Sequence, residues 1–353
     1  MRFLSFKTIR FFLPGVLLIL AGAGCVSTSA GSGGPDGGVF RLQANQWKQM
    51  KTLNLETQLG SIADVSTLTA RFDAQDDHVM YVGTVNNGLM YTLNGGEAWR
   101  SASGVSFGAV SAVAVDPHDK CTVYAAHVNQ IFKTTDCLRD WSVAVSDART
   151  TVNFTALAID SQQPATIYAG NTAGDVLRSD NGGSSWRSLT RVTGFRITDL
   201  EIDPRTSSTI YAGTNGSGVL KSLDGGATWQ VLYTPLQAFD GARGVTQLVL
   251  DPNAAGRIYE VSRYGLLRSD DGAATWKSMS LVSAPGAVTI RAFAVNPVNS
   301  NSLVYATDNA IVFSSDGGTT WSSKALPTTR GVSFLMYDHE ATQSLYLGTI
   351  SRS

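Results

Sequence analysis

One pattern recurs seven times along this chain of 353 residues. In each copy an alternating apolar run ends at Asp or Asn, and a tyrosine follows eight or nine residues later. The best preserved copies read LAIDSQQPATIYAG (157–170) and LEIDPRTSSTIYAG (200–213), which predicts a strand, a tight turn and a second strand. The seven pairs are Asp73 and Tyr81, Asp116 and Tyr124, Asp160 and Tyr168, Asp203 and Tyr211, Asp251 and Tyr259, Asn296 and Tyr305, and Asp338 and Tyr346. Self-similarity at a fixed period indicates a repeat architecture.

An octapeptide follows each of the first six copies, after one more predicted strand. The six read TLNGGEAW (92–99), TTDCLRDW (134–141), SDNGGSSW (179–186), SLDGGATW (222–229), SDDGAATW (269–276) and SSDGGTTW (314–321). They resemble the Asp-box, S-x-D-x-G-x-x-W. Its Asp or Asn can accept backbone N–H groups inside a turn, its glycine allows the tight backbone, and its tryptophan can bury a large apolar face on a neighbouring blade. We therefore interpret these residues as structural rather than catalytic or metal-binding: Asn94, Trp99, Asp136, Trp141, Asn181, Trp186, Asp224, Trp229, Asp271, Trp276, Asp316 and Trp321.

The chain ends indicate how the repeats close. Trp47 follows GVFRLQANQ, where a worn seventh box would place it, so strands within about 38–50 supply the outer half of the unit whose inner half is 332–350. Closure of this kind removes the free sheet edges that invite aggregation. We predict an all-β protein, a single seven-bladed β-propeller over residues 38–353 with N-terminal strands that close the last blade.

The N-terminal segment has the features of an export signal. Residues 1–24 combine a basic start, the apolar run 11–20 and small residues 21–24, and that run is short for a membrane span. Cys25 follows directly and resembles the lipidated cysteine of bacterial lipoproteins, although Gly22 stands where that family usually has leucine. The resemblance implies a lipid-anchored protein of the outer membrane or periplasm of a Gram-negative bacterium, with 25–37 as lipidated cysteine and flexible tether; ordinary cleavage after Ala30 is the alternative.

The other two cysteines, Cys121 and Cys137, flank a predicted hairpin formed by 122–127 and 130–135. An exported protein can form disulfides, so we expect these residues to be bonded across the hairpin. Leu138 and Ala273 stand where two boxes should have glycine. Their turns are expected to be strained or differently shaped, and the disulfide is expected to compensate beside Leu138.

Charge and composition exclude some partners. The formal net charge is −1, and loss of the three basic residues of the signal leaves about −4, so no global field attracts nucleic acid. The paired glycines belong to Asp-box turns rather than to phosphate loops, and the four histidines are dispersed. We expect a monomer with no cofactor and no metal site, anchored to a membrane by its lipid.

Asp-box propellers resemble several families: sialidases, xyloglucan-hydrolysing glycosidases, sortilin-type receptors and the photosystem II stability and assembly factors with their bacterial relatives. Seven repeats with short loops and an exported N-terminus look most like the assembly-factor relatives, which implies a non-enzymatic binding or assembly scaffold. The alternative is a carbohydrate-active protein, either a glycoside hydrolase of sialidase type or a lectin.

The enzyme alternative requires acid–base groups. Phe195-Arg196-Ile197-Thr198 is the nearest string to the Phe/Tyr-Arg-Ile-Pro motif of sialidases, but it lacks the proline and lies in the middle of the chain. Glycoside hydrolysis needs two carboxylates about 5–10 Å apart across a cleft. Candidates near the loops that lead into inner strands are Glu56, Asp64, Asp147, Asp199 and Asp240, and no pair among them is marked out by its surroundings.

Arginines repeatedly occupy those same loops. They are Arg149, Arg191, Arg196, Arg243 and Arg330, with Arg291 slightly further into its strand. Arg196, Arg243 and Arg330 have nearly the same place in the repeat and should therefore converge on one face. Arginine binds carboxylates with a planar fork, so Arg149, Arg196, Arg243, Arg291 and Arg330 could bind a protein partner or an acidic polysaccharide. The alternative is scattered solubilising charge.

Overall fold

The computed structural model describes residues 35–54, 59–339 and 344–352. The signal segment and Cys25 lie outside the described residues. Within the described ranges the strands form seven sheets, one for each repeat. None of these residues belongs to a helix with the length and apolarity to cross a bilayer.

The strands follow one another blade by blade. The N-terminal hairpin is β1 (Val39–Gln43) and β2 (Gln46–Gln49), and blade 1 contains β3 (Thr52–Asn54), β4 (Leu59–Ser61), β5 (Thr67–Phe72), β6 (Met80–Thr84), β7 (Leu89–Thr92) and β8 (Trp99–Ser101). Blade 2 contains β9 (Val110–Val115), β10 (Val123–His127), β11 (Gln130–Thr134) and β12 (Ser142–Ser146). Blade 3 contains β13 (Phe154–Ile159), β14 (Ile167–Asn171), β15 (Asp175–Ser179) and β16 (Arg187–Arg191). Blade 4 contains β17 (Ile197–Ile202), β18 (Ile210–Thr214), β19 (Val219–Ser222) and β20 (Gln230–Leu232).

The remaining blades complete the ring. Blade 5 contains β21 (Val245–Leu250), β22 (Ile258–Ser262), β23 (Gly265–Ser269) and β24 (Lys277–Ser278). Blade 6 contains β25 (Ala292–Asn296), β26 (Asn299–Ala306), β27 (Ala310–Ser314) and β28 (Ser322–Ala325), and blade 7 contains β29 (Gly331–Tyr337) and β30 (Leu345–Ile350). Short 3-10 helices at Ser103–Val105 and Thr234–Leu236 lie in the connecting loops.

The ring closes as predicted. Strands β1 and β2 join β30 and β29 in the order β2-β1-β30-β29, and Phe40 faces Leu347 across the junction. The seven-bladed all-β propeller with N-terminal closure is therefore confirmed. The folded unit begins slightly before the predicted boundary at 38, because Gly37 N–H donates to the Ala63 carbonyl and Thr328 donates to the carbonyl of Asp36.

The Asp or Asn that ends an inner strand shapes the turn that follows. Asp160 and Asp203, for example, accept the backbone N–H two residues on, at 2.8 and 2.9 Å. This is the Asx-turn geometry that short polar side chains favour. The conserved spacing in the repeat therefore encodes the reversal between the first and second strand of a blade.

In several blades the hydroxyl group of the repeated tyrosine forms a hydrogen bond to the neighbouring blade. The Tyr168 hydroxyl donates to the carbonyl of Gly225 in the next Asp-box at 3.0 Å, and Tyr124 donates to Gly182 in the same way at 2.9 Å. Lys133 stands over the Tyr124 ring and also donates to Gly182. The tyrosine, the cation and the glycine carbonyl thus form an inter-blade contact that the repeat reproduces.

The Asp-box residues form a compact turn. In blade 4, Asp224 Oδ1 accepts the N–H of Thr228 at 2.8 Å, and Gly225 and Gly226 have φ of 71° and 87°. The tryptophans pack against the preceding blade, as Trp229 does against Tyr168 and Leu189. Trp99 is fully buried, whereas Trp229 is only partly buried. The tryptophans therefore differ in how much apolar surface they bury.

The two boxes that depart from the motif keep its backbone. Cys137, Leu138 and Ala273 have φ of 60°, 70° and 70°, the left-handed region that glycine adopts without strain. In the structure Cys121 and Cys137 form a disulfide over a separation of 16 residues. Tyr81 of the preceding blade donates to Lys120 rather than to a box carbonyl, at 3.4 Å. The disulfide therefore lies where the usual inter-blade contact is changed.

We expect loss of this disulfide to lower the free energy of unfolding by about 3 kcal/mol, because the bond closes a loop of this size in the unfolded chain. The variant is Cys121→Ser with Cys137→Ser, measured by denaturant unfolding beside the oxidised protein. A reductant should destabilise the native chain and leave the double variant unchanged. An identical unfolding midpoint for both proteins would contradict this expectation.

Candidate functional site

All the candidate arginines lie on one face of the propeller. We define the upper face by the loops 102–109, 147–153, 192–196, 233–244, 279–291 and 326–330, each of which leads from the outer strand of a blade to the inner strand of the next. Inner strands begin at this face and end in the Asx turns of the opposite, lower face. The repeat therefore predicted which face carries the arginines, but not what they contact.

Arg149 and Arg191 are engaged with carboxylates. Arg149 Nη2 lies 2.6 Å from an oxygen of Asp147 and 2.6 Å from an oxygen of Asp175, and Arg191 forms a close ion pair with Asp175. Burial disfavours the charged form of Asp175, but hydrogen bonds from Arg191, Arg149 and Asn171 outweigh it and lower its pKa to about 2. This cluster is internally neutralised, so it has little charge left for a ligand.

Arg291 and Arg330 are also occupied. Arg291 Nε donates to Asp308 at 2.8 Å. Arg330 donates to the Asp64 carbonyl at 3.1 Å and lies near the carboxylates of Asp36 and Asp64, and only 19% of its side chain is exposed. Arg330 therefore contacts the chain at Asp36 and the loop at Asp64, and it does not join Arg196 and Arg243.

Arg196 and Arg243 come together around one turn. The turn 215–218 of blade 4 is bonded at its start to the Arg196 carbonyl, at 3.2 Å, and at its end to the Arg243 carbonyl, at 3.0 Å. Both side chains are exposed, and neither forms an ion pair with a described residue. Of the predicted arginines, these two are the ones that keep an uncompensated charge on the upper face.

Two exposed aromatic rings flank these arginines. Phe195 and Tyr233 are each 37% exposed. The Arg243 guanidinium lies 4.9 Å from the centre of the Tyr233 ring and donates to its hydroxyl at 2.9 Å. Phe195 lies against Gly216, where an added Cβ would meet its ring at 2.4 Å. We call Phe195, Arg196, Tyr233 and Arg243 the blade 4–5 patch.

Sequence reasoning missed the aromatic half of this patch. In the sequence Phe195 forms part of a sialidase-like string, and no motif marks Tyr233. Phe195 directly precedes Arg196, and Tyr233 lies in the same loop as Arg243. An aromatic residue in an arginine-bearing loop was therefore a signal that the sequence offered. Their exposure, however, depends on the packing of blades 4 and 5.

A second feature is the central channel. It contains a cavity of about 560 Å³ bordered by the inner strands of all seven blades. At the position two before the terminal Asp or Asn, five blades have apolar residues: Ala114, Ala158, Val249, Ala294 and Met336. Blade 1 has Arg71 there, and blade 4 has Glu201.

Asp199 lies beside Glu201 on β17 and is part of the framework. Its Oδ2 accepts the N–H of Leu248 in blade 5 at 2.8 Å, and its Oδ1 accepts the N–H of Leu200. Gln247 makes the same kind of bridge from blade 5 to Phe293 of blade 6, at 3.0 Å. Asp199 therefore ties two inner strands together.

The channel perturbs both carboxyl groups. Asp199 and Glu201 both line the channel and are half-buried. Burial, together with the charge of Asp199, raises the pKa of Glu201 to about 8, and Arg71 opposes that shift. Burial likewise raises the pKa of Asp199, against the two backbone N–H bonds and Arg71. Arg71 and Glu201 were not predicted as site residues, although they break the apolar pattern of the repeat.

The other predicted site residues are not assembled into a centre. Asp64 and Asp147 contact arginines, Asp240 is exposed, and Glu56 lies outside the described residues. No group of three or more His, Cys, Asp or Glu side chains suited to a metal ion occurs among the described residues.

Comparison with known proteins identifies the fold of this chain and not its function. No protein-family model and no curated protein matches the chain. The GH74 xyloglucanase from Xanthomonas campestris aligns with a TM-score of 0.66 at 15% identity, over 81% of this chain and 51% of that one. The chain thus spans about half the length of that protein.

Two structures of YCF48 match over almost their whole length. YCF48 bound to D1 peptide aligns with a TM-score of 0.62 at 17% identity, over 81% of this chain and 92% of that one. YCF48 from Cyanidioschyzon merolae aligns with a TM-score of 0.59 at 16% identity, over 85% and 98%. The chain shares the seven-bladed propeller with these proteins.

Proposed function

We propose that this protein is an exported, lipid-anchored scaffold without enzymatic activity, and that it docks a segment of a partner protein on the blade 4–5 patch. The observation that carries the proposal is the combination of two arginines without carboxylate partners and two exposed aromatic rings around the turn 215–218. Arginine and aromatic residues dominate the binding energy of many interfaces because they combine apolar area with directional hydrogen bonds.

The chemistry of the patch defines the partner segment. Arg196 and Arg243 favour acidic side chains or a terminal carboxylate, to which a guanidinium can donate two parallel hydrogen bonds. Phe195 and Tyr233 favour an apolar side chain next to that acidic group. We therefore expect an acidic peptide segment with an apolar anchor.

A comparison with a solved structure supports a peptide as the ligand. The structure described as YCF48 bound to D1 peptide aligns over 81% of this chain and 92% of that one. Export and lipidation at Cys25 remain part of the proposal, with the outer membrane or periplasm of a Gram-negative bacterium as the location.

The test is co-purification of the full chain from detergent-solubilised membranes, compared with an Arg196→Glu, Arg243→Glu variant. Loss of charge complementarity at buried contacts typically costs several kcal/mol, so a stoichiometric protein partner should be reduced at least about tenfold in the variant. Arg330 stays unchanged in this variant, because it contacts Asp36 and Asp64. Reversing its charge would affect closure of the propeller ring as well as docking.

The matched control is Arg100→Glu with Lys277→Glu, which reverses two exposed charges on outer strands. This variant should retain the partner. Equal retention by all three proteins, or retention of nothing by the native protein, would refute docking on this patch. Circular dichroism and thermal unfolding establish that each variant remains folded.

A carbohydrate-active protein is the second candidate function. The observation that favours it is the carboxyl pair in the channel, because a raised pKa lets a carboxyl group act as a general acid near neutral pH. Asp199 and Glu201 belong to one strand, however, and Asp199 is held by backbone N–H groups. Release of reducing ends from xyloglucan, abolished by Glu201→Gln, would establish hydrolysis and replace the scaffold proposal.

A further inference from the structure

The central channel carries an arrangement of charge that the propeller itself does not require. Arg71 in blade 1 and Glu201 in blade 4 occupy equivalent positions of the repeat on opposite sides of the ring. Alanine occupies this position in blades 2, 3 and 6. An apolar residue is therefore compatible with the fold at this position.

The side chains of Arg71 and Glu201 form no ion pair with a described residue. Arg71 donates to the adjacent Ala70 carbonyl at 3.1 Å, and Glu201 has no hydrogen bond to a described residue. No ion pair joins Arg71 to Glu201 or to Asp199 among the described residues, yet the charge of Arg71 acts on both carboxyl groups. The guanidinium group of Arg71 and the carboxyl group of Glu201 therefore line the same cavity without an ion pair between them.

Both groups keep binding capacity inside the cavity. Arg71 is exposed and Glu201 is half-buried, so each can exchange contacts with solvent for contacts with a bound molecule. Arg291 and His339, which also border the cavity, have carboxylate partners in Asp308 and Asp77. Arg71 and Glu201 are thus the charged groups of the channel with capacity left for a bound molecule.

We propose that the central channel binds a compact zwitterion of the free α-amino acid class, with its carboxylate on Arg71 and its ammonium group on Glu201. Asp199 lies two residues from Glu201 on the same strand and supplies a second negative charge beside the ammonium group. The cavity of about 560 Å³ falls within the size range of small-molecule sites. This site is independent of the blade 4–5 patch.

The test is thermal unfolding of the full chain with free L-amino acids as probes, each at about ten times its dissociation constant. A ligand at that ratio should raise the melting temperature by about 2 °C for a domain of this size. Two half-probes dissect the site: the N-acetyl derivative lacks the ammonium group, and the amide derivative lacks the carboxylate. We expect each half-probe to bind at least about tenfold more weakly than the zwitterion.

Three variants locate the binding. Arg71→Met and Glu201→Gln should each weaken binding at least about tenfold, and Arg100→Met, an exposed outer-strand control in the blade of Arg71, should bind as the native protein does. Methionine is the residue that blade 7 has at this position, as Met336, which favours folding of the Arg71 variant. The melting temperature without ligand checks folding directly.

A second measurement needs no variant. Because burial and the charge of Asp199 raise the pKa of Glu201, part of its carboxyl is protonated in the empty channel; an adjacent ammonium group favours the ionised form, so binding should release protons. Arg71 and Asp199 are the charged groups that face Glu201. Calorimetry in two buffers of different ionisation enthalpy measures that release.

The absence of any stabilising amino acid would overturn the proposal. So would half-probes that bind as tightly as the zwitterion, or affinity that is unchanged in both channel variants. Partner docking involves the blade 4–5 patch and not the channel residues. The docking proposal and the channel proposal can therefore fail independently of each other.

Discussion

Replacing Trp99 with alanine is expected to lower the free energy of unfolding by about 3–5 kcal/mol, the cost typical of removing a fully buried large aromatic side chain. Trp99 is 0% exposed and packs between blade 1 and the closing blade, against Val39 and Met50. Its Nε1 donates to the Met50 carbonyl at 2.8 Å. The alanine variant therefore loses apolar burial and leaves a buried carbonyl without its donor.

Denaturant unfolding of the Trp99→Ala variant measures this loss. Trp229→Ala is the matched control, because Trp229 has the same place in its Asp-box but is only partly buried. We expect the control to lose clearly less stability. Equal losses at the two positions would mean that the box turn, rather than burial at the closing junction, sets the contribution of the tryptophan.

Stability is expected to fall as the pH rises from about 5 to about 8, with a slope that approaches about 1.4 kcal/mol per pH unit for each carboxyl group kept protonated by the fold. Glu260 is fully buried in β22, and burial raises its pKa well above the ordinary value, against one hydrogen bond from Ser262. Its Oε1 has no hydrogen-bond partner. Glu201 acts in the same direction, since its pKa is raised to about 8.

The sign follows from proton binding. Below the ordinary value of 4.5, both the folded and the unfolded chain hold the proton, so Glu260 and Glu201 impose no penalty. Above it, the unfolded chain releases the proton while the fold retains it, so the penalty on folding grows with pH until the folded pKa is passed and is constant beyond it. Aspartates with a lowered pKa act oppositely: they contribute stability above their ordinary value and lose it as the pH falls towards about 2.

Glu260→Gln is the variant that tests this expectation, because glutamine keeps the shape and removes the titration. It should flatten the decline above about pH 5 and unfold at higher denaturant than the native protein at about pH 8. Asp240→Asn, an exposed carboxyl, is the control and should leave the curve unchanged. A native protein whose stability does not change over this range, or a variant with the native slope, would contradict the assignment.

The candidate site shows how far a repeat can be extrapolated. Because Arg196, Arg243 and Arg330 share a repeat position, the sequence predicts that they converge on one face. All three follow outer strands at the upper face, but Arg330 does not join the other two. Their contacts differ because each loop meets different neighbours: Arg330 lies near Asp36 and Asp64, whereas Arg243 contacts the Tyr233 ring. Equivalent positions therefore share a location but not an environment.

The sequence by itself determined the local structure of this protein. The period of the repeat, the Asx turns, the box glycines and the alternation of apolar residues all depend on contacts within one blade, which are close in sequence. The pairing of charges depended instead on residues far apart in the chain. Arg71 and Glu201 meet across the channel only because seven blades close into a ring, and Arg196 and Arg243 remain uncompensated only because of what the neighbouring blade presents. Long-range geometry of this kind is not encoded in any single repeat, so only the tertiary structure decided which charges are satisfied and which remain available for a ligand.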